Sequence, residues 1–147
     1  MLLALLALGA GEALLFPTAE YSGVLRVHGP GGVLVLRDQK AYDDFIDRIP
    51  RTEISKTNPA PPSDDPLLKR PEIDFTENMA VVAYSNFLYA QVKIVELRLQ
   101  SDGESVHLQV ERVTPEESKY YSAPNDVGRY HLVVVDRRNG EVREVNR

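Results

Sequence analysis

With 147 residues, 22 acidic against 17 basic side chains and a net charge of −5, the chain has the size of one domain. That charge argues against a nucleic-acid partner, which needs a basic face, and no Lys/Arg cluster offsets it. The absence of cysteine excludes disulfides, thiolate metal sites, a cysteine nucleophile and a lipidated cysteine, while 43% apolar and 27% charged residues mark a folding chain.

Residues 1–15 read as an export leader. Leu2 to Leu8 form an apolar run of signal-peptide length, and Gly9, Gly11 and Ala13 offer small residues for cleavage. The run is shorter than the ~20 residues a bilayer span requires, and Glu12 interrupts it. No Lys or Arg precedes Leu2, so a start further upstream and a buried apolar element are the alternatives. The leader predicts an exported protein, periplasmic or extracellular, with a mature start between Ala10 and Ala19 and no stable membrane anchor after cleavage. Lack of cysteine and of any Asn-x-Ser/Thr sequon suits a bacterial envelope.

The folded domain is expected over residues 21–147. Val24–His28 and Val33–Arg37 read as strands joined in a hairpin by Gly29-Pro-Gly-Gly32, whose residues supply turn chemistry. Asp38 is placed as an N-cap for a helix over residues 39–49. Tyr42, Phe45, Ile46 and Ile49 stand at i, i+3, i+4 and i+7 and make its buried stripe; Asp43, Asp44, Asp47 and Arg48 make its wet side. Pro50 stops it. Residues 51–72 hold five of the ten prolines and read as a long loop.

Strands resume at Met79–Tyr84, Gln91–Gln100 and Glu104–Val113. In the second, Val95, Leu97 and Leu99 share a face; in the third, Val106, Leu108 and Val110 do. Asp102-Gly103 predicts a hairpin between them. After a loop over residues 114–129 come Tyr130–Val135 and Glu141–Val145, joined by Asn139-Gly140, a type I′ hairpin signal. No βαβ rhythm appears. The expectation is a single α+β domain, a curved, mostly antiparallel sheet of about seven strands with one packed helix.

Chemical signatures are sparse. His28, His107 and His131 fall on three separate strands without close ligand spacing and read as surface or strand-end residues, so no metal and no cofactor is expected. Asp64-Asp65 lacks the alternating oxygens and glycine of a calcium loop, and no serine sits in Gly-x-Ser-x-Gly or Ser-x-x-Lys. The informative stretch is Glu116–Tyr130. Tyr120, Tyr121 and Tyr130 in or beside a polar loop suit recognition, because tyrosine presents a large ring at small entropic cost; the alternative is that Tyr120 or Tyr121 closes over the core edge as a lid. Phe87 and Tyr89 form a second aromatic connector, expected beside the first. The five together are the candidate partner-binding residues; no catalytic residue is assigned.

The chain resembles the C-terminal domain of PrcB-like proteins, exported bacterial proteins named for an accessory subunit of a surface protease complex. The resemblance rests on the early strand-turn-strand, on Arg37-Asp-Gln-Lys-Ala-Tyr-Asp-Asp-Phe45 at the start of the helix, on Ile73-Asp-Phe-Thr-Glu-Asn-Met-Ala-Val-Val-Ala83, and on Arg129-Tyr-His-Leu-Val-Val-Val135. Where that family has a Thr-Gly-Gly-Tyr-like turn this chain has Asn86-Phe-Leu-Tyr-Ala90, so only Tyr89 carries over. The resemblance implies a binding or stabilising role and no catalysis, with another protein, such as a protease, as partner. A protease inhibitor acting through its loops and an enzyme with a carboxylate/histidine site are the alternatives.

Overall fold

The computed structural model describes residues 6–7 and 11–146. Its two innermost strands are the two apolar runs of the sequence. Met79–Ala83 and Leu132–Val135 present hydrophobic residues to both faces, a pattern that is stable only between two other layers. In chain order the strands are β1 (Leu6–Ala7), β2 (Ala13–Leu15), β3 (Ala19–Arg26), β4 (Gly32–Leu36), β5 (Asn78–Tyr84), β6 (Gln91–Leu99), β7 (Val106–Val113), β8 (Val127–Asp136) and β9 (Val142–Glu144). Helix α1 (Gln39–Ile46) follows β4, and 3₁₀ turns occupy Pro66–Lys69 and Glu116–Tyr120.

The protein is a single α+β domain with one α-helix among the described residues, as expected. The described residues form nine strands, however, and these divide between two sheets rather than one. A four-stranded sheet runs β3-β8-β5-β4, and a five-stranded sheet runs β1-β2-β6-β7-β9. One face of the four-stranded sheet, with Leu25, Ala80, Val82, Leu132 and Val134, packs against Tyr42, Phe45, Ile46 and Ile49. The other face, with Met79, Val81, Val133 and Val135, packs against Ile94, Leu97, Val106 and Leu108 of the five-stranded sheet. The order is therefore helix, sheet, sheet.

Asp38 caps α1 as its position predicts, its carboxylate accepting from the Ala41 amide at 2.8 Å. The helix proper ends at Ile46, three residues earlier than expected. A turn continues it, in which the Arg48 and Ile49 amides donate to Phe45 and Ile46, so Ile49 still reaches the core. No helix of the described residues is long and apolar enough to cross a membrane.

Both outer hairpin readings are corrected. β3 and β4 lie at opposite edges of their sheet with β8 and β5 between them, so Gly29-Pro-Gly-Gly32 carries the chain across the sheet end. Asn139-Gly140 likewise makes no β8–β9 hairpin: neither residue takes the positive φ that a type I′ turn requires. Instead the Asn139 amide donates to the Glu104 carboxylate (2.7 Å) and the Gly140 amide to the Glu104 carbonyl (3.1 Å). These bonds draw the chain over to the other sheet, where β9 runs parallel to β7. Arg137 secures the crossing by donating from one nitrogen to the carbonyls of Arg37 (2.7 Å) and Phe75 (2.9 Å). The Asp102-Gly103 turn does join β6 to β7.

Val95 is a further correction. A bulge between Ile94 and Glu96 inserts it as an extra residue, so it faces solvent while Ile94 and Leu97 both point inward. At the N-terminus, β2 lies within the stretch read as a leader. Ala13–Leu15 pair with Leu97–Leu99, Leu15 is only 4% exposed, and Glu12 pairs with Arg98 at 3.3 Å. The fold therefore begins before residue 21, at Glu12 or earlier, because apolar Leu15 completes the core between the sheets. Residues 1–5 and 8–10 of that stretch lie outside the described residues.

Candidate functional site

At one end of the four-stranded sheet, where β5 finishes and β8 begins, two connectors meet. The 85–90 connector is a tight turn held by Ser85. Its hydroxyl donates to the Phe87 carbonyl (3.0 Å) and accepts from the Arg129 amide (3.2 Å), while the Ser85 amide bonds the Arg129 carbonyl (2.9 Å). Leu88 plugs inward, and its carbonyl accepts from the Arg129 guanidinium at 2.7 Å. With Leu88 buried, Phe87 and Tyr89 are left on the outside, half-buried. The second connector contains the turn Glu116–Tyr120, in which the buried Ser118 hydroxyl closes onto the Pro115 carbonyl at 2.7 Å.

These two turns stack three rings into a ladder. Phe87 meets Tyr89 edge-on at 5.6 Å between centroids, and Tyr89 meets Tyr121 in the same manner at 5.5 Å. Edge-to-face contact sets the positive rim of one ring against the negative face of the next. The Tyr89 hydroxyl adds a bond to the Ser122 carbonyl at 3.3 Å. Tyr121 remains 56% exposed and Tyr120, one residue before it, 85% exposed. The two connectors do lie side by side, and four of the five candidate residues share this end of the molecule.

Tyr130 does not belong with them. It is 1% exposed, because in β8 it shares the inward parity of Leu132 and Val134 and faces α1. Its ring meets Phe45 edge-on at 5.2 Å, and its hydroxyl donates to the Asp65 carboxylate, with both oxygens within 2.9 Å. Burial, and then the Asp65 charge, push the phenol far above its usual range and keep it a donor. Tyr130 is thus a core residue, not a contact residue.

Asp65 is the residue that sequence reasoning missed. It is buried, caps the Pro66–Lys69 turn by accepting from the Leu67 amide (2.9 Å), and holds Tyr130 at the same time. Gly23 makes room for it, since a Cβ there would collide with a carboxylate oxygen of Asp65. The available signal was Asp-Pro-Leu-Leu, an N-cap followed by proline in the first helical position. Above this pair opens a cleft of about 510 Å³ between Ser22 and Val24 of β3, Ile54, Tyr89 and Arg129. The Pro-rich 51–72 loop forms one wall, folded on itself by the Glu53–Pro61 and Ser63–Arg51 backbone bonds.

The histidines are scattered, and among the described residues no group of three His, Cys, Asp or Glu could hold a metal ion. His28 is exposed, and His107 accepts from Arg143 at 3.3 Å. His131 departs from the surface reading: it is buried within β8. Its Nδ1 accepts from the Ile94 amide (2.9 Å), so the proton sits on Nε2, which donates to Glu20 at 3.1 Å. A second proton would displace the Ile94 bond. Burial lowers the His131 pKa; Glu20 raises it but less strongly, and Lys93 adds to the lowering. The unfolded chain therefore binds the proton more readily. Stability is full above the unfolded value near 6.5 and falls as pH drops below it. Denaturant midpoints taken from pH 8 down to pH 5 are expected to decline, with a shallower decline in His131→Gln.

The helix acids are engaged on the wet side. Asp43 and Asp47 bind Arg70 (2.8 and 3.2 Å), and Asp44 binds Lys40 at 2.7 Å. Compared with protein-family models, with curated proteins and with solved structures, the chain matches none.

Proposed function

We propose that this chain is a non-catalytic protein-binding domain whose contact surface is the ring ladder Phe87–Tyr89–Tyr121 with Tyr120 at its tip. The observation that carries the reading is that two separate connectors, each braced by a buried serine, hold aromatic rings together at the surface instead of in the core. Stiff amphipathic rings of this kind supply the anchor residues of protein interfaces. A position at the sheet end lets a partner reach them without disturbing the core. The resemblance to PrcB-like proteins makes an envelope or surface protease complex the proposed partner, with export through the N-terminal apolar run.

Replacing Tyr120 and Tyr121 together by serine tests the reading. Neither ring is buried, so the unfolding free energy is expected to change by less than about 1 kcal/mol. Co-purification of the partner from an envelope fraction is expected to disappear. A large loss of stability with unchanged co-purification would mean that the ladder is a lid on the core.

A further inference from the structure

Strand β6 has an open edge. It pairs with β7 along its length, but among the described residues with β2 only at Leu97–Leu99, so Gln91–Val95 have a described strand on one side alone. The direction of that edge is fixed by Ile94, whose amide points away from β7 and donates to His131 of the other sheet. Register is continuous from Gln91 to Ile94, so alternation turns the amide and carbonyl of Val92 to the same side. No backbone bond to a described residue meets them there.

That edge borders two adjoining hollows of about 350 and 390 Å³, both lined by Ser22 and Val92. Their rims carry Lys93 and Arg129 against a single acid, Glu20, whose carboxylate is already engaged by His131. Neither Lys93 nor Arg129 forms an ion pair with a described residue. In a chain of net charge −5, the groove rim carries more cations than acids, although Lys93 stands opposite Glu111 of β7 in register. Tyr89 of the ladder lines the second hollow, which makes groove and ladder continuous.

We propose that the groove takes an extended acidic segment of a partner protein, added as a strand beside Gln91–Ile94 with its carboxylates toward Lys93 and Arg129. Main-chain bonds to Val92 supply affinity, and the cations select acidic sequence. The inference rests on the reading of the chain as a protein-binding domain and names the chemistry that the domain recognises.

The test is titration of the full chain with a capped Val-Glu-Val-Glu-Val-Glu peptide and its Val-Lys counterpart, followed by amide NMR and hydrogen exchange. Saturable binding of the acidic peptide alone is expected, with the Val92 amide slowed in exchange. Lys93→Glu is expected to weaken binding about tenfold, the equivalent of one charge-assisted bond. Val92→Pro removes the groove-facing amide without a β7 ladder bond and is expected to abolish binding; should it fail to fold, Lys93→Glu carries the test. Lack of saturation at millimolar peptide, equal binding of the lysine peptide, or unchanged affinity in Lys93→Glu would overturn the groove. So would self-association of the chain through β6 that excludes the peptide. If the groove fails while Tyr120/Tyr121 variants still lose their partner, the binding reading stands without it; loss of neither removes both.

Discussion

Replacing Phe45 by alanine is expected to lower the unfolding free energy by about 3–5 kcal/mol, whereas Asp44→Ala, its neighbour in sequence, should change it by less than about 0.5 kcal/mol. Phe45 is 2% exposed and fills the space between α1 and the four-stranded sheet, edge-on to Tyr130. Removing its ring discards apolar burial and leaves a cavity that β5 and β8, packed on both faces, have little freedom to close. Asp44 holds Lys40, across an exposed i,i+4 pair screened by water. Urea melts of the two variants are the measurement. Equal, small losses would show that α1 does not pack as described.

Asp65→Ala is expected to cost about 2–4 kcal/mol, because two buried donors, the Tyr130 hydroxyl and the Leu67 amide, lose their acceptor together. Tyr130→Phe alone should cost about 1–2 kcal/mol, since it leaves the carboxylate one partner short but keeps the ring beside Phe45. The double variant should cost less than the sum of the two, because removing both ends of a buried hydrogen bond strands neither. A double-mutant cycle by denaturant unfolding measures that coupling. Strict additivity would mean that the pair does not interact in solution.

The elements with strong local patterns were legible. The stripe Tyr42, Phe45, Ile46, Ile49 and the cap at Asp38 specified α1, because both depend on residues within two turns of one another. The Asp102-Gly103 hairpin was legible for the same reason; the two aromatic connectors were expected together on a different ground, that each joins strands and so sits at a sheet end. Parity along β8 was present in the sequence too: Tyr130 stands two residues before Leu132 and four before Val134, which places it in the core.

What local pattern could not convey was which strands are neighbours. Gly29-Pro-Gly-Gly32 and Asn139-Gly140 have the composition of hairpin turns, yet each spans strands that never pair. The Glu104 bonds that pull the second of them across are made by a residue 35 positions away in sequence. The bulge at Val95 is equally silent, since an inserted residue leaves the alternation on either side of it looking regular. Sequence by itself therefore determined the helix, most strand positions, and the aromatic and acidic character of the chain. Only the tertiary structure decided the two-sheet layering, the burial of Asp65 and His131 and the open edge of β6, because each depends on contacts between segments distant in the chain.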